Sequence, residues 1–302
     1  MSTLRPLHVV LGTEYLAATE FRSKHGSFDI FLTRDQHDPS SCTLRLKLKI
    51  RLQQIKPGLP PLYGDANGKG FWIRPWSGAE WATFVRGAQA QAKMWNNRFW
   101  LKPPRDYTDL DVSYPGFPKQ AYRPYIQCEL EVDFDADEEE AHKTIKVANL
   151  NTSMIVGTKD SGTFRSHSLL YDSLDNTPSV MSFRDNTGAI QAVSHPTIAH
   201  EIGHALGLGH IGELLKTPLC QMAEGMDKVI DTPLTRGGTN SHYCYGWDHP
   251  LQVGANVMGY GDQFTAENGQ PWAWAIVTLT KTLGKYWQIL TKVSGKGEWV
   301  RL

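Results

Sequence analysis

Leu44, Leu46, Leu48, Ile50 and Leu52 alternate with Arg45, Lys47, Lys49 and Arg51. A strict period of two predicts a strand with one buried face and one solvated, basic face. The alternation recurs at Ile126, Cys128, Leu130, Val132 and Phe134, and more briefly at Phe28, Ile30 and Leu32, which predicts two further strands. Shorter apolar runs place strands near 145–147, 153–157, 167–171 and 180–183, and the position of 167–172 makes it the candidate edge of the sheet. Gly58, Pro60, Pro61, Gly64 and Gly68 mark a loop, and Asp185-Asn186-Thr187-Gly188 a turn.

From residue 77 the period changes. Ser77 and Glu80 have capping-box spacing, and Trp81, Phe84, Val85, Ala88, Ala92, Trp95 and Phe99 recur as one apolar helical face. The expected helix packs on the sheet and stops at Pro103-Pro104. A second helix opens at 194–197 with Pro196 in its first turn, where the missing N–H costs little. It turns Ile198, Ile202, Ala205 and Leu206 to the core. Residues 271–288 read as a final helix, with Trp274, Val277, Thr278 and Leu283 as packing positions.

The second of these helices carries His200-Glu201-Ile202-Gly203-His204, and the chain continues through Gly207 to His210. Histidines at i and i+4 project from one face, where two imidazoles can bind one zinc ion and the adjacent glutamate can take a proton from water. A straight helix would place His210 off that face. Gly207 predicts the sharp left-handed turn that brings it back. Three protein ligands leave one tetrahedral position open, as in a catalytic zinc site. His195 reads as a residue of the helix start rather than a ligand.

The complete H-E-x-x-H-x-x-G-x-x-H run, followed downstream by Asn256-Val257-Met258-Gly259-Tyr260-Gly261, resembles the metzincin zinc peptidases, whose signature joins this motif to a Met-turn. The resemblance is specific over roughly residues 195–261. It implies that Met258 forms a hydrophobic floor beneath the imidazoles. It also implies that Tyr260 stands where astacins and serralysins carry a tyrosine able to stabilise the oxyanion. Ile211 follows the third histidine, and matches neither the Glu of astacins, the Pro of serralysins, the Ser of matrixins nor the Asp of the snake-venom-like group. The expected fold is therefore α+β: a twisted mixed sheet, a long helix, a zinc-binding helix and an irregular lower subdomain ending in a C-terminal helix. Residues 61–302 form the catalytic domain. Residues 1–60 are a strand-rich segment that either extends the sheet or covers the cleft as a latency segment. Asp35, His37 and Asp38 read as a polar turn, or as groups that could occupy a zinc position in a latent form.

Composition narrows the function classes. The 302 residues carry zero formal net charge, with 40% hydrophobic residues, so there is no electrostatic case for nucleic acid or an anionic membrane. The basic strand face reads as a solvated surface, and the acids at 135–140 as a solvated turn or helix start rather than a calcium loop. No stretch approaches the ~20 apolar residues of a membrane span. The N-terminus shows no signal peptide; cytoplasmic synthesis and export by a signal-independent route, with a secretion apparatus as partner, fit a bacterial effector or toxin. Cys220 and Cys244 lie between His210 and Met258 and could form a disulfide; the alternative is that all four cysteines are reduced core residues.

The expected activity is zinc-dependent endopeptidase hydrolysis of a protein or peptide held in extended form, with one Zn²⁺ on His200, His204 and His210, Glu201 as general base and Tyr260 at the oxyanion. The alternatives are a non-catalytic metzincin-shaped binding module, against which an intact Glu201 argues, or a zinc hydrolase of a non-protein amide.

Overall fold

The structure, a computed structural model, describes residues 15–22, 27–35, 37–58, 62–64, 70–151, 169–226, 241–282 and 287–301. Its first strands are β1 (Tyr15–Arg22), β2 (Ser27–Arg34), β3 (Cys42–Gln54), β4 (Leu62–Gly64) and β5 (Gly70–Trp72), followed by helix α1 (Gly78–Ala92). Next come β6 (Trp100–Lys102), β7 (Val112–Ser113), β8 (Gln120–Pro124), β9 (Ile126–Asp133), β10 (Lys143–Ala148) and β11 (Leu170–Asp172). The hairpin strands β12 (Ser179–Arg184) and β13 (Ile190–His195) lead into α2 (Thr197–Ala205). The remainder is α3 (Ile211–Leu214), α4 (Pro218–Met226), α5 (Leu251–Gly254), α6 (Gln270–Thr280), β14 (Gln288–Leu290) and β15 (Gly297–Arg301). The class is α+β with a mixed sheet. No helix among the described residues is long and apolar enough to cross a membrane.

Two compact units divide the chain. One takes its described residues from 1–48, 95–131 and 264–302. Here β1 pairs antiparallel with β2 and β2 with β3, and the order runs on to β9, β6 and β14. Phe28, Ile30, Leu32, Leu44, Leu46 and Leu48 are fully buried, so the period-two reading holds along β3, while in β2 Asp29 is buried as well and interrupts the alternation. Residues 27–34 extend the sheet. Arg45 and Lys47 meet Glu131 at 3.4 and 2.9 Å, which accounts for part of the basic face without a ligand. Asp35 Oδ1 accepts from the main chain of His37 and Asp38, making this segment a polar turn. A separate three-stranded sheet, β15–β8–β7, completes the unit.

The second unit takes its described residues from 49–94 and 132–263. The last part of β3 pairs parallel with β10, and β10 parallel with β11. β11 is the last strand of this path, paired with β10 alone among the described residues. Glu138 pairs with Arg51, and Glu140 lies 3.9 Å from Lys49, so the acidic run is a turn that meets the basic strand.

Several expectations need correction. The capping box of α1 is present on both sides, but the helix ends at Ala92, not at Pro103. Asn97 takes φ 58°, a left-handed conformation that asparagine tolerates and a helix does not continue through. Trp95 and Phe99 are still buried, against Phe264 and Trp272: the apolar period outlasted the helix because these rings serve a different core. Leu62–Gly64 and Gly70–Trp72 pair antiparallel within the stretch where a loop was expected. β13 was not anticipated, because exposed Ile190 and Ala192 give no simple buried stripe.

The expected C-terminal helix stops at Thr280. The Thr278 and Thr280 hydroxyls turn back onto the carbonyls four residues earlier, and Lys281 is left-handed at φ 54°. The buried face is Trp272, Ala275 and Ile276, while Trp274, Val277 and Thr278 are half-buried. Among the described residues α6 is followed by the two strands β14 and β15 rather than by more helix. Residues 153–157, His167 and Leu283 lie outside the described residues.

Candidate metal centre

Local rules explain how α2 presents its side chains. Ile198, Ile202, Ala205 and Leu206 are buried as apolar packing. Pro196 is the N-cap rather than the first helical residue, and supplies no side-chain cap. Instead Gln91 Oε1, from α1, accepts from Ile198 N at 3.0 Å and Ala199 N at 3.4 Å. At the other end Gly207 takes φ 96°. Leu208 N donates to Gly203 O and Gly207 N to His204 O, the pair of bonds that defines a Schellman ending. The chain turns as expected, and His210 becomes the N-cap of α3, its N–H held by Glu213 Oε1 at 2.9 Å.

The turn brings the three imidazoles together. His204 Nε2 lies 3.1 Å from both His200 Nε2 and His210 Nε2, and one ligand atom from each residue falls within 4.8 Å of the others. The far side of each ring meets an oxygen. His200 Nδ1 lies 2.7 Å from Val257 O, His204 Nδ1 2.8 Å from Leu208 O, and His210 Nδ1 3.3 Å from Glu213 Oε1. A carbonyl can only accept, so the Nδ1 atoms of His200 and His204 carry the protons and their Nε2 atoms present lone pairs. Burial, reinforced by the neighbouring histidines, holds His200 well below the usual imidazole range and His204 down to about 3. Both rings are therefore neutral near pH 7.

Facing lone pairs repel unless a cation lies between them. Zn–N bonds of about 2.0–2.1 Å in a tetrahedron put ligand nitrogens roughly 3.3–3.4 Å apart, close to the spacing here. The donor set suits Zn²⁺, and each ring has the outer partner that fixes a ligating tautomer.

Glu201 is buried on the same helix. Burial, with the Asp175 charge adding and Lys143 opposing, raises its carboxyl to about 8. A dication beside it acts the other way and favours the carboxylate. Asp172, the last residue of β11, and Asp175 are joined by the turn that ends the strand. Asp175 Oδ2 accepts from Asp172 N at 2.8 Å, and Asp172 Oδ1 from Leu174 N at 2.6 Å. Gln91 Nε2 donates to Asp175 O at 2.5 Å.

The segment from Gly254 to Gly261 braces the histidine cluster through its main chain. Val257 O takes His200, and Met258 O takes Ile211 N, the residue after His210. Met258 is fully buried. Gly261 fits because a Cβ would lie 2.1 Å from Ala255 O. Tyr260 is buried, stacked on Phe183 at 5.5 Å, with its hydroxyl 2.5 Å from His242 Nδ1. The His195 ring lies 5.3 Å from that of His200 and bonds the Tyr260 main chain.

Sequence reasoning missed Tyr245, whose ring centroid is 3.8 Å from that of His210 and 5.6 Å from that of His200. Cys244 beside it is bonded to Cys220, so the disulfide weighed above is present. No periodic signal marks an aromatic in an irregular loop. Gln91 was also missed, although an uncharged amide in line with Phe84 and Ala88 on the buried side of α1 was a visible sign of a polar contact within the core. Comparisons with protein families, with curated proteins and with solved structures returned no match.

Proposed function

We propose that the chain is a zinc-dependent endopeptidase of metzincin type in which His200, His204 and His210 hold the metal and Glu201 is the general base. The convergence of three Nε2 atoms, with an oxygen behind every ring, is the observation that carries this reading. Zinc, when bound, supplies Lewis-acid polarisation of the scissile carbonyl and makes water more acidic.

The protein's own groups do the rest. Glu201, next to a ligand on the same helix, accepts the proton from water and delivers it to the leaving amine; a carboxyl whose affinity for protons is raised by burial can do both. Tyr260, its hydroxyl set by His242, stabilises the oxyanion, and Met258 fills the space beneath the ligands. A peptide in extended form adds to the edge left by β11. The Cys220–Cys244 disulfide supports work in an oxidising compartment, in keeping with an exported effector or toxin.

The test uses the full chain on a proteome-derived peptide library, with products read by mass spectrometry and zinc by elemental analysis. Wild type is expected to contain about one zinc per chain. Glu201→Ala and the isosteric Glu201→Gln should keep zinc while losing roughly 10²–10⁴ in rate. Equal cleavage by variant and wild type at equal zinc content removes Glu201 from the mechanism; no cleavage by wild type favours the binding-module reading. Tyr260→Phe should lower kcat about tenfold with KM little changed. A change below about twofold, roughly 0.4 kcal/mol, assigns the ring to packing alone.

A further inference from the structure

We propose that Gln91 is a positioning residue for the metal centre, fastening the first turn of α2 to the turn that follows β11 and so fixing where His200 and Glu201 stand. The inference rests on the zinc reading above. A helix begins with N–H groups that lack partners inside it, and a cap from its own sequence normally takes some of them. Pro196 offers no such side chain. Gln91, which is 3% exposed, supplies an acceptor from another helix to Ile198 N and Ala199 N, the two residues directly before His200. Its other amide atom donates to Asp175 O. One side chain thus uses both ends of its amide, and the contacts lie 107 and 84 residues away in sequence.

The remaining ligands are held differently. His204 is fixed by Leu208 O, past the Gly207 turn, and His210 by Glu213 within α3. α2 has only nine residues. His200 also has an oxygen behind its ring, Val257 O at 2.7 Å. Its backbone and that of Glu201, however, lie in the turn that Gln91 fastens, so releasing that turn shifts both residues while the backbone of His204 and His210 keeps its own ties. The His200–His204 spacing of 3.1 Å is then lost although none of the three histidines has been substituted.

The experiment compares wild type, Gln91→Met and Gln91→Glu. Methionine keeps length and removes both amide atoms. Glutamate keeps the acceptor for the α2 N–H groups, where negative charge suits a helix start, and removes the donor to Asp175. Zinc affinity is measured by competition with a chromophoric chelator, coordination geometry by the visible absorption of the cobalt-substituted protein, and fold by thermal unfolding of the metal-free chain. We expect Gln91→Met to weaken zinc by about 10–100-fold, the range seen when supports behind metal ligands are removed, and to change the cobalt bands. Gln91→Glu should give a smaller loss in the same direction. A purely structural role predicts a lower melting temperature with zinc affinity within twofold of wild type and unchanged cobalt bands, and that result overturns the proposal. Should Gln91→Met not fold, Gln91→Glu decides by the same two readouts, since its cap is intact. Wild type that takes up neither zinc nor cobalt would instead defeat the zinc reading itself.

Discussion

In β2 and β3 the buried side chains are Phe28, Ile30, Leu32, Cys42, Leu44, Leu46, Leu48 and Ile50, with Asp29 as the one buried charged residue among them. In the corner around α2 they include His200, Glu201, His210, Gln91, Asp172 and Asp175. Each of these polar groups has to be matched, because a buried polar atom without a partner costs about 1–3 kcal/mol. The sheet region tolerates exchange of one hydrocarbon for another at modest cost. The corner does not, since its partners are set by direction as well as by volume. The sheet therefore contributes stability, and the corner spends some of it to hold three imidazoles and a carboxylate in one arrangement.

The sharpest way to break this contrast is a pair of substitutions. His204→Ala removes the ring shared by both 3.1 Å contacts, and should abolish tight zinc binding and hydrolysis while the metal-free chain still folds. Leu46→Ala empties a fully buried site and should cost about 2–5 kcal/mol of stability, with zinc affinity of the folded protein unchanged. Chemical denaturation and elemental analysis give the stability and zinc content of both variants, and the peptide-library assay gives hydrolysis. Unaltered zinc content in His204→Ala, or weakened zinc in folded Leu46→Ala, would show that the two regions do not divide the work in this way.

The second prediction concerns pH. Burial first, and then the Asp175 charge, raise the Asp172 carboxyl to about 8, against N–H groups of Leu174 and Asp175 that favour the anion. An unfolded aspartate titrates near about 3.9. The native state therefore binds the proton more tightly, so this contribution to stability is fully present below about pH 4 and is lost as pH rises towards 8. Asp172→Asn keeps Oδ1 for Leu174 N and removes the charge. It should flatten the fall of melting temperature between pH 4 and 8 by an amount corresponding to at most roughly 1.4 kcal/mol per pH unit, shared with Asp175. Parallel curves for wild type and variant would mean that Asp172 is ionised in the folded protein throughout.

What the sequence revealed follows the same division. Alternation located β2, β3 and β9, because a period of two is written by the residues themselves. The histidine spacing and Gly207 located the three clustered imidazoles and the turn that gathers them, because one short segment contains all of them. The Gln91 contacts and the close approach of the Tyr245 ring to His210 join residues far apart in sequence, and no local period encodes such a meeting. The helix ends failed for a related reason. Trp95 and Phe99 keep the spacing of α1 while packing on Phe264 and Trp272, so apolar rhythm alone could not show where the backbone leaves the helix.

The smallest expected effect comes from the exposed start of α1, which belongs to neither side of the contrast and so serves as its control. Ser77 Oγ accepts from Glu80 N at 3.3 Å, and Glu80 Oε2 accepts from Ser77 N at 3.0 Å. Arg74 adds an ion pair at 2.6 Å, which at a solvated surface contributes little. Ser77→Ala removes one cap bond and should cost about 1 kcal/mol. Because Gln91 lies near the far end of the same helix, the position of that loss matters. A cap that only helps α1 to start will lower the melting temperature and leave zinc affinity alone. If zinc affinity fell with Ser77→Ala by as much as with Gln91→Met, fraying of α1 as a whole would explain both, and the local fastening of α2 by Gln91 would lose its support. The expected result is a small loss of stability with the cobalt bands unchanged.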